Sequence, residues 1–206
     1  MPKKEKMPAP VVRRLPLYWR LLKTMQSKGE ERVSSQQLAE VMDMTASQVR
    51  QDMNCFGASG KQGCGYQVKD LLETIDGIFQ VRKSQDAILV GTENAVRALK
   101  DLLDFESCGF HLIGEFCFDS KDDTLPKEAD MYTFCDKYHP SVAVVCTEKT
   151  ETCRLVRDLA AHSVISVCNY SAEELPEDYC GLNVENVFLS EPLLRMRFRT
   201  AEKDVE

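Results

Sequence analysis

The stretch A-I-L-V-G-T-E-N-A-V-R-A-L, Ala87 to Leu99, decides the fold of this chain. Its first residues are apolar without alternation up to Gly91, the pattern of a strand buried on both faces. From Asn94 the residues favour a helix, expected over Asn94–Asp104. A strand turning tightly into a helix opens a dinucleotide-binding βαβ unit, in which closely spaced glycines admit a diphosphate to the positive helix end. Only Gly91 of those glycines is present here.

The alternation continues downstream. Phe110–Phe118, Ser141–Thr147 and Val164–Asn169 read as further strands, with helices around Tyr132–Tyr138 and Thr150–His162. Strands separated by helices require crossover connections, so the expected class is α/β with a Rossmann-like, doubly wound parallel sheet over residues 85–188. A last helix, Pro192–Arg199, lies in the segment 189–206 and has little left to cover in its own domain. Packing on a second subunit is one solution.

Upstream, residues 1–84 form a different module. Pro10–Ser27 reads as a helix with Leu15, Trp19, Leu22 and Met25 on one face. Ser34 with Gln37 and Thr45 with Gln48 are two capping boxes eleven residues apart, which start two short helices with a tight connection. This is a helix-turn-helix. The first should bury Leu38, Val41 and Met42. The second places Val49, Met53 and Phe56 on one face and Ser47, Arg50, Gln51 and Asn54 on the other. Arg, Gln and Asn are the side chains that pair bidentately with guanine or adenine edges in the major groove. The glycine-rich run G-A-S-G-K-Q-G-C-G-Y, Gly57–Tyr66, then reads as a β-wing whose Lys61 and backbone N–H groups at Gly63 and Gly65 meet phosphates. An apolar helical stripe from Val68 to Phe79 closes the module. The expected architecture is a winged helix.

Charge divides the chain at the same place. Residues 1–83 hold 14 of the 26 Lys and Arg but only 9 of the 33 Asp and Glu, whereas the remainder is strongly acidic. A basic module fits a polyanionic partner, and the acidic one does not. No apolar run is long enough to span a bilayer. The N-terminus lacks the apolar core of a signal peptide. Nine cysteines, an odd number without C-x-x-C spacing, argue against a disulfide framework or zinc site and for a reducing, cytoplasmic setting. His111, His139 and His162 are scattered, so no catalytic set is expected and the chain is read as a non-enzyme.

Together these segments resemble the Rex family of redox-sensing transcriptional repressors. The resemblance rests on R-R-L-P-L-Y (Arg13–Tyr18), R-V-S-S-Q-Q-L-A (Arg32–Ala39), Q-V-R-Q-D (Gln48–Asp52) and F-G-A-S-G-K-Q-G-C-G-Y (Phe56–Tyr66). It implies a homodimer with a winged helix, a Rossmann domain and a C-terminal helix exchanged between subunits. It also implies binding to a palindromic, A·T-rich operator on double-stranded DNA, with release when NADH replaces NAD⁺. The expected DNA-binding residues are Arg13, Arg14, Ser34, Ser35, Ser47, Gln48, Arg50, Gln51, Asn54, Lys61, Gly63, Gly65 and Tyr66.

The sensing half departs from the family pattern. Gly91, Thr92, Glu93, Asn94, Ala95 and Val96 stand where the family has its glycine-rich turn, with Glu93 at the second glycine and Val96 at the third. Glu93 puts a negative charge where the diphosphate should sit; two like charges about 4 Å apart repel by ~1 kcal/mol in water and about four times that when partly desolvated. The family motif F-D-V-D reads F-C-F-D (Phe116–Asp119), leaving Asp119 for the ribose. N-F-[AT]-P reads N-Y-S-A (Asn169–Ala172), and Phe188 replaces an aspartate of the polar linkage between domains. NAD(H) sensing is therefore expected to be weakened or lost. The alternative is a functional NADH/NAD⁺ sensor. Lesser alternatives are thiol sensing through Cys55 and Cys64, and a Rossmann oxidoreductase.

Overall fold

The structure, a computed structural model, describes residues 7–58, 65–119, 128–148 and 150–203. The chain divides into two compact units, Met1–Arg82 and Lys83–Glu206.

The first unit runs α1 (Ala9–Ser27), β1 (Arg32–Val33), α2 (Ser35–Met42), α3 (Ala46–Phe56), β2 (Tyr66–Gln67) and α4 (Val68–Phe79). Both capping boxes form. The Gln37 N–H donates to Ser34 Oγ at 3.1 Å while Ser34 N–H donates to Gln37 Oε1 at 2.8 Å. Thr45 and Gln48 repeat the exchange at 3.2 and 2.9 Å. Each box satisfies two backbone donors that a helix start leaves orphaned, a contribution of about 1 kcal/mol. Between the helices Asp43 takes a left-handed φ of 53° and turns the chain. β1 and β2 pair antiparallel, Val33 opposite Tyr66. The core gathers Leu15, Tyr18, Leu22, Leu38, Val49, Met53, Phe56, Leu71 and Ile75. Two expectations fail here. Val41 is 63% exposed, because two-turn α2 presents Leu38, Ala39 and Met42 inward and turns Val41 away. In α1 the buried aromatic is Tyr18, while Trp19 lies at the rim and donates from Nε1 to Asp76 at 2.8 Å.

The second unit is a six-stranded sheet in the order β4-β3-β5-β6-β8-β7. Its strands are β3 (Gln85–Gly91), β4 (Phe110–Cys117), β5 (Val142–Cys146), β6 (Ser166–Asn169), β7 (Asp178–Tyr179) and β8 (Leu182–Asn186). All pairings are parallel except β7 on β8. Helix α5 (Glu93–Leu102) packs Val96 and Leu99 on one face, against Leu89 and Val144. Helices α6 (Glu128–Tyr138) and α7 (Thr152–Ala160) cover the other face, against Ile88, Val90, Val145 and Val167. The doubly wound Rossmann-like class is as the sequence implies. The β7–β8 hairpin was not expected; Cys180 and Gly181 turn it with φ of 56° and 82°, the two-residue geometry that brings short strands together.

Helix α8 (Glu191–Lys203) ends the described chain. Leu193, Leu194, Met196 and Phe198 are each more than half exposed on it. No helix among the described residues is long and apolar enough to cross a membrane.

Candidate nucleic-acid interface and nucleotide crevice

The two capped helices present one polar surface. Ser47, Arg50, Gln51 and Asn54 are all exposed on α3, while Val49, Met53 and Phe56 are buried beneath them. Arg50 Nη1 donates to Ser35 Oγ at 3.2 Å, so the first residue of α2 holds the guanidinium of the next helix. Arg13 is exposed on α1. The face therefore combines a forked donor, two amides and a hydroxyl on a rigid helix, the groups that read base edges.

Some expected DNA contacts are committed elsewhere. Ser34 and Gln48 spend side-chain oxygens on the caps of α2 and α3. The Arg14 guanidinium does not reach outward as a phosphate contact would: Nε and Nη2 each donate to an oxygen of Asp52 at 2.7 Å. Asp52 is only 2% exposed, and an unpaired carboxylate there would be costly, which is why it captures the nearest cation. That hydrogen bond is also the main cause holding the Arg14 pKa above its ordinary value. Tyr18 O–H donates to the same carboxylate at 2.9 Å. Burial, then this bond, raises the phenol's pKa. Gly65 has φ +68°, and a Cβ on it would stand 2.5 Å from the Val33 carbonyl oxygen, so glycine is needed for the β1–β2 pairing itself. Tyr66 is half-buried against the core. Lys61, Gly63 and Cys64 lie outside the described residues.

The second candidate site follows from topology. From β3 the chain crosses to β4 on one side and later to β5 on the other, so the carboxyl ends of β3 and β5 form a topological switch point, where open α/β sheets bind ligands. Gly91 lies there, in register with Cys117 and Cys146. A Cβ on Gly91 would fall on the Cys146 carbonyl, so this glycine is required by strand packing, whatever the ligand. Thr92 N–H donates to the same carbonyl at 3.3 Å.

The start of α5 is occupied by the chain's own acids. Glu93 N–H donates to Asp119 Oδ1 at 2.7 Å. The Glu93 side chain accepts from Arg97 Nη2 at 2.9 Å. Val96 is 2% exposed and fills the space between helix and sheet that a third glycine would leave. Asn94 is exposed and Ala95 half-buried. The carboxylates of Glu93 and Asp119 thus both lie at the start of α5. Burial, followed by Glu93 and Asp119, raises the Cys117 thiol, and burial pushes Cys146 up to about 12; neither is a thiolate at neutral pH.

The altered loop after β6 has its own structural logic, which the sequence did not announce. Buried Asn169 donates from Nδ2 to the Glu173 carbonyl at 2.7 Å and to Asn186 Oδ1 at 2.8 Å, while Ser171 Oγ donates to Asn169 Oδ1 at 2.6 Å. His111 bonds Glu106 and His162 bonds Asp136, each a pair of its own. Among the described residues no group of three or more His, Cys, Asp or Glu is placed to hold a metal.

Comparison with known proteins agrees with this anatomy. A family model described as "Putative DNA-binding protein N-terminus" matches residues 6–54. The redox-sensing transcriptional repressor Rex of Clostridium acetobutylicum is 33% identical over 205 residues, covering 95% of this chain and 94% of that protein. A crystal structure of RSP, a Rex-family repressor, superposes with a TM-score of 0.82 at 28% identity, covering 97% of this chain and 96% of RSP. RSP in complex with β-NAD⁺ and operator DNA gives a TM-score of 0.79 at 29% identity, with coverage of 97% and 95%.

Proposed function

The chain belongs to the Rex family of redox-sensing transcriptional repressors, and from that premise we propose that it binds operator DNA through α3 as a homodimer while answering weakly or not at all to NAD(H). It is a DNA-binding repressor of the Rex type and not an enzyme. In the proposed complex Arg50 and Gln51 read bases, with Ser47, Asn54 and Ser35 in support. Arg13, Lys61 and the backbone at Gly63 and Gly65 hold phosphates. The apolar residues left exposed along α8 support its exchange between two copies, and a two-fold dimer reads a palindrome by symmetry. An A·T-rich operator and a cytoplasmic location complete the reading.

The single observation that carries the loss of sensing is the bond from Glu93 N–H to Asp119. A dinucleotide needs that N–H for its diphosphate and the acid after β4 for its ribose. Here that N–H is already donated to Asp119 Oδ1. To enter, the ligand would have to break this bond, turn Glu93 aside and fit over Val96.

One observation favours the alternative of retained sensing: RSP, alike over nearly the whole chain, binds β-NAD⁺ with operator DNA. Calorimetric titration of the protein with NADH separates the two. Our reading expects no saturable heat at micromolar ligand; a saturating isotherm there would overturn it.

A further inference from the structure

We propose that Arg14, Tyr18 and Asp52 form a clamp that fixes the rotation of α3 about its own axis, making Asp52 a positioning residue for base reading. The inference rests on the DNA-binding reading above and deepens it. Asp52 follows Arg50 and Gln51 directly in sequence, yet it faces the opposite way, into the protein.

The apolar contacts beneath α3 are non-directional and set its distance from α1 better than its rotation. A helix of 11 residues can roll on such a bed. A turn of about 20° would carry a side-chain tip roughly 6 Å from the axis through about 2 Å, enough to break hydrogen bonds to a base edge. The Arg14–Asp52 fork is directional: two parallel bonds of 2.7 Å fix the plane of the carboxylate. Tyr18 adds a third bond, and its ring meets Phe56, one turn further along α3, edge-on at 5.5 Å. Helix α1 thus grips α3 at two levels. An ion pair whose carboxylate is buried adds little stability over apolar residues of similar volume, so its use here is intelligible as specifying one orientation.

The test uses the full chain and a duplex selected from a random-sequence library by the wild type, with a scrambled duplex as control. Affinities for both are measured across a salt series, and thermal melting checks that each variant is folded. Asp52→Asn removes the charge while keeping the shape, and Arg14→Lys keeps the charge while losing the fork. Each is expected to lower the selected-to-scrambled affinity ratio by about tenfold or more, with scrambled-duplex affinity and salt slope unchanged. If Arg14 instead served a phosphate, Arg14→Lys would leave the ratio intact and Arg14→Gln would weaken both duplexes alike; that result overturns the clamp. Should Asp52→Asn fail to fold, Tyr18→Phe, which keeps the ring and deletes one bond, must still lower the ratio, and an unchanged ratio overturns the proposal. Failure of the wild type to enrich any duplex would instead overturn the DNA-binding reading, and the clamp with it.

Discussion

The carboxylate of Asp119 caps α5 by accepting from the backbone N–H of Glu93, 26 residues away in sequence, at 2.7 Å. The start of α5 and the residue after β4 are thereby joined. An anionic cap stabilises a helix start by the same dipole and donor geometry that would hold a phosphate, so in the function we propose the cap and the ligand compete for one place.

If Glu93 excludes the diphosphate by charge and bulk, Glu93→Gly should strengthen NADH binding by about fivefold or more, since relief of one like-charge contact is worth ~1–4 kcal/mol. Calorimetry on the two proteins side by side checks this. Unchanged affinity would shift the blame to Val96.

Arg50→Ala should cost about 1–3 kcal/mol on the selected duplex and relax preference at one base pair. Ser35→Ala, which removes only the acceptor for Arg50, should act at the same base pair with a smaller loss. Repeating the selection with each variant reads both effects. Uniform weakening on all sequences would mean that Arg50 contacts phosphate.

His111 bonds Glu106 at 3.0 Å, and this bond raises the histidine's pKa above its ordinary value. A raised folded-state value means that the pair stabilises fully below about pH 6.5, the unfolded value, and loses that contribution as pH climbs through the folded one. The thermal midpoint should fall slightly over that interval, and His111→Gln should flatten this part of the profile. Both groups are exposed, so the effect is small and sensitive to salt.

The exposed side chains of α8 predict that Leu193→Glu combined with Phe198→Glu yields a folded monomer in sedimentation velocity. The same variant should lose affinity for a palindromic duplex more than for a single half-site, because it loses the second binding module. A dimer persisting through this change would place the interface elsewhere.

Local signals made most of this fold legible. Two capping boxes set the starts of α2 and α3 to the residue, and the apolar runs announced the parallel strands β3, β4, β5 and β6, although only β3 and β5 are buried along most of their length and β4, at the sheet edge, is mostly half-buried. The face of α3 was readable because its period sorts Val49 and Met53 from Arg50 and Gln51. Relations across sequence distance were hidden. Arg14 and Asp52 are 38 residues apart, and nothing local distinguishes a guanidinium destined for a buried acid from one destined for a phosphate. The sequence raised Asp119 only as a ribose acid, whereas its bond to the Glu93 N–H depends on how β4 ends beside α5. The β7–β8 hairpin escaped because its strands are short and its turn uses Cys-Gly in place of Asn-Gly.

The central claim is that α3 reads DNA while the nucleotide crevice no longer governs it. The most direct measurement is the affinity of the wild-type protein for its selected duplex with and without saturating NADH. Equal, sequence-selective binding in both conditions is the predicted result. Release of the duplex on adding NADH would contradict it.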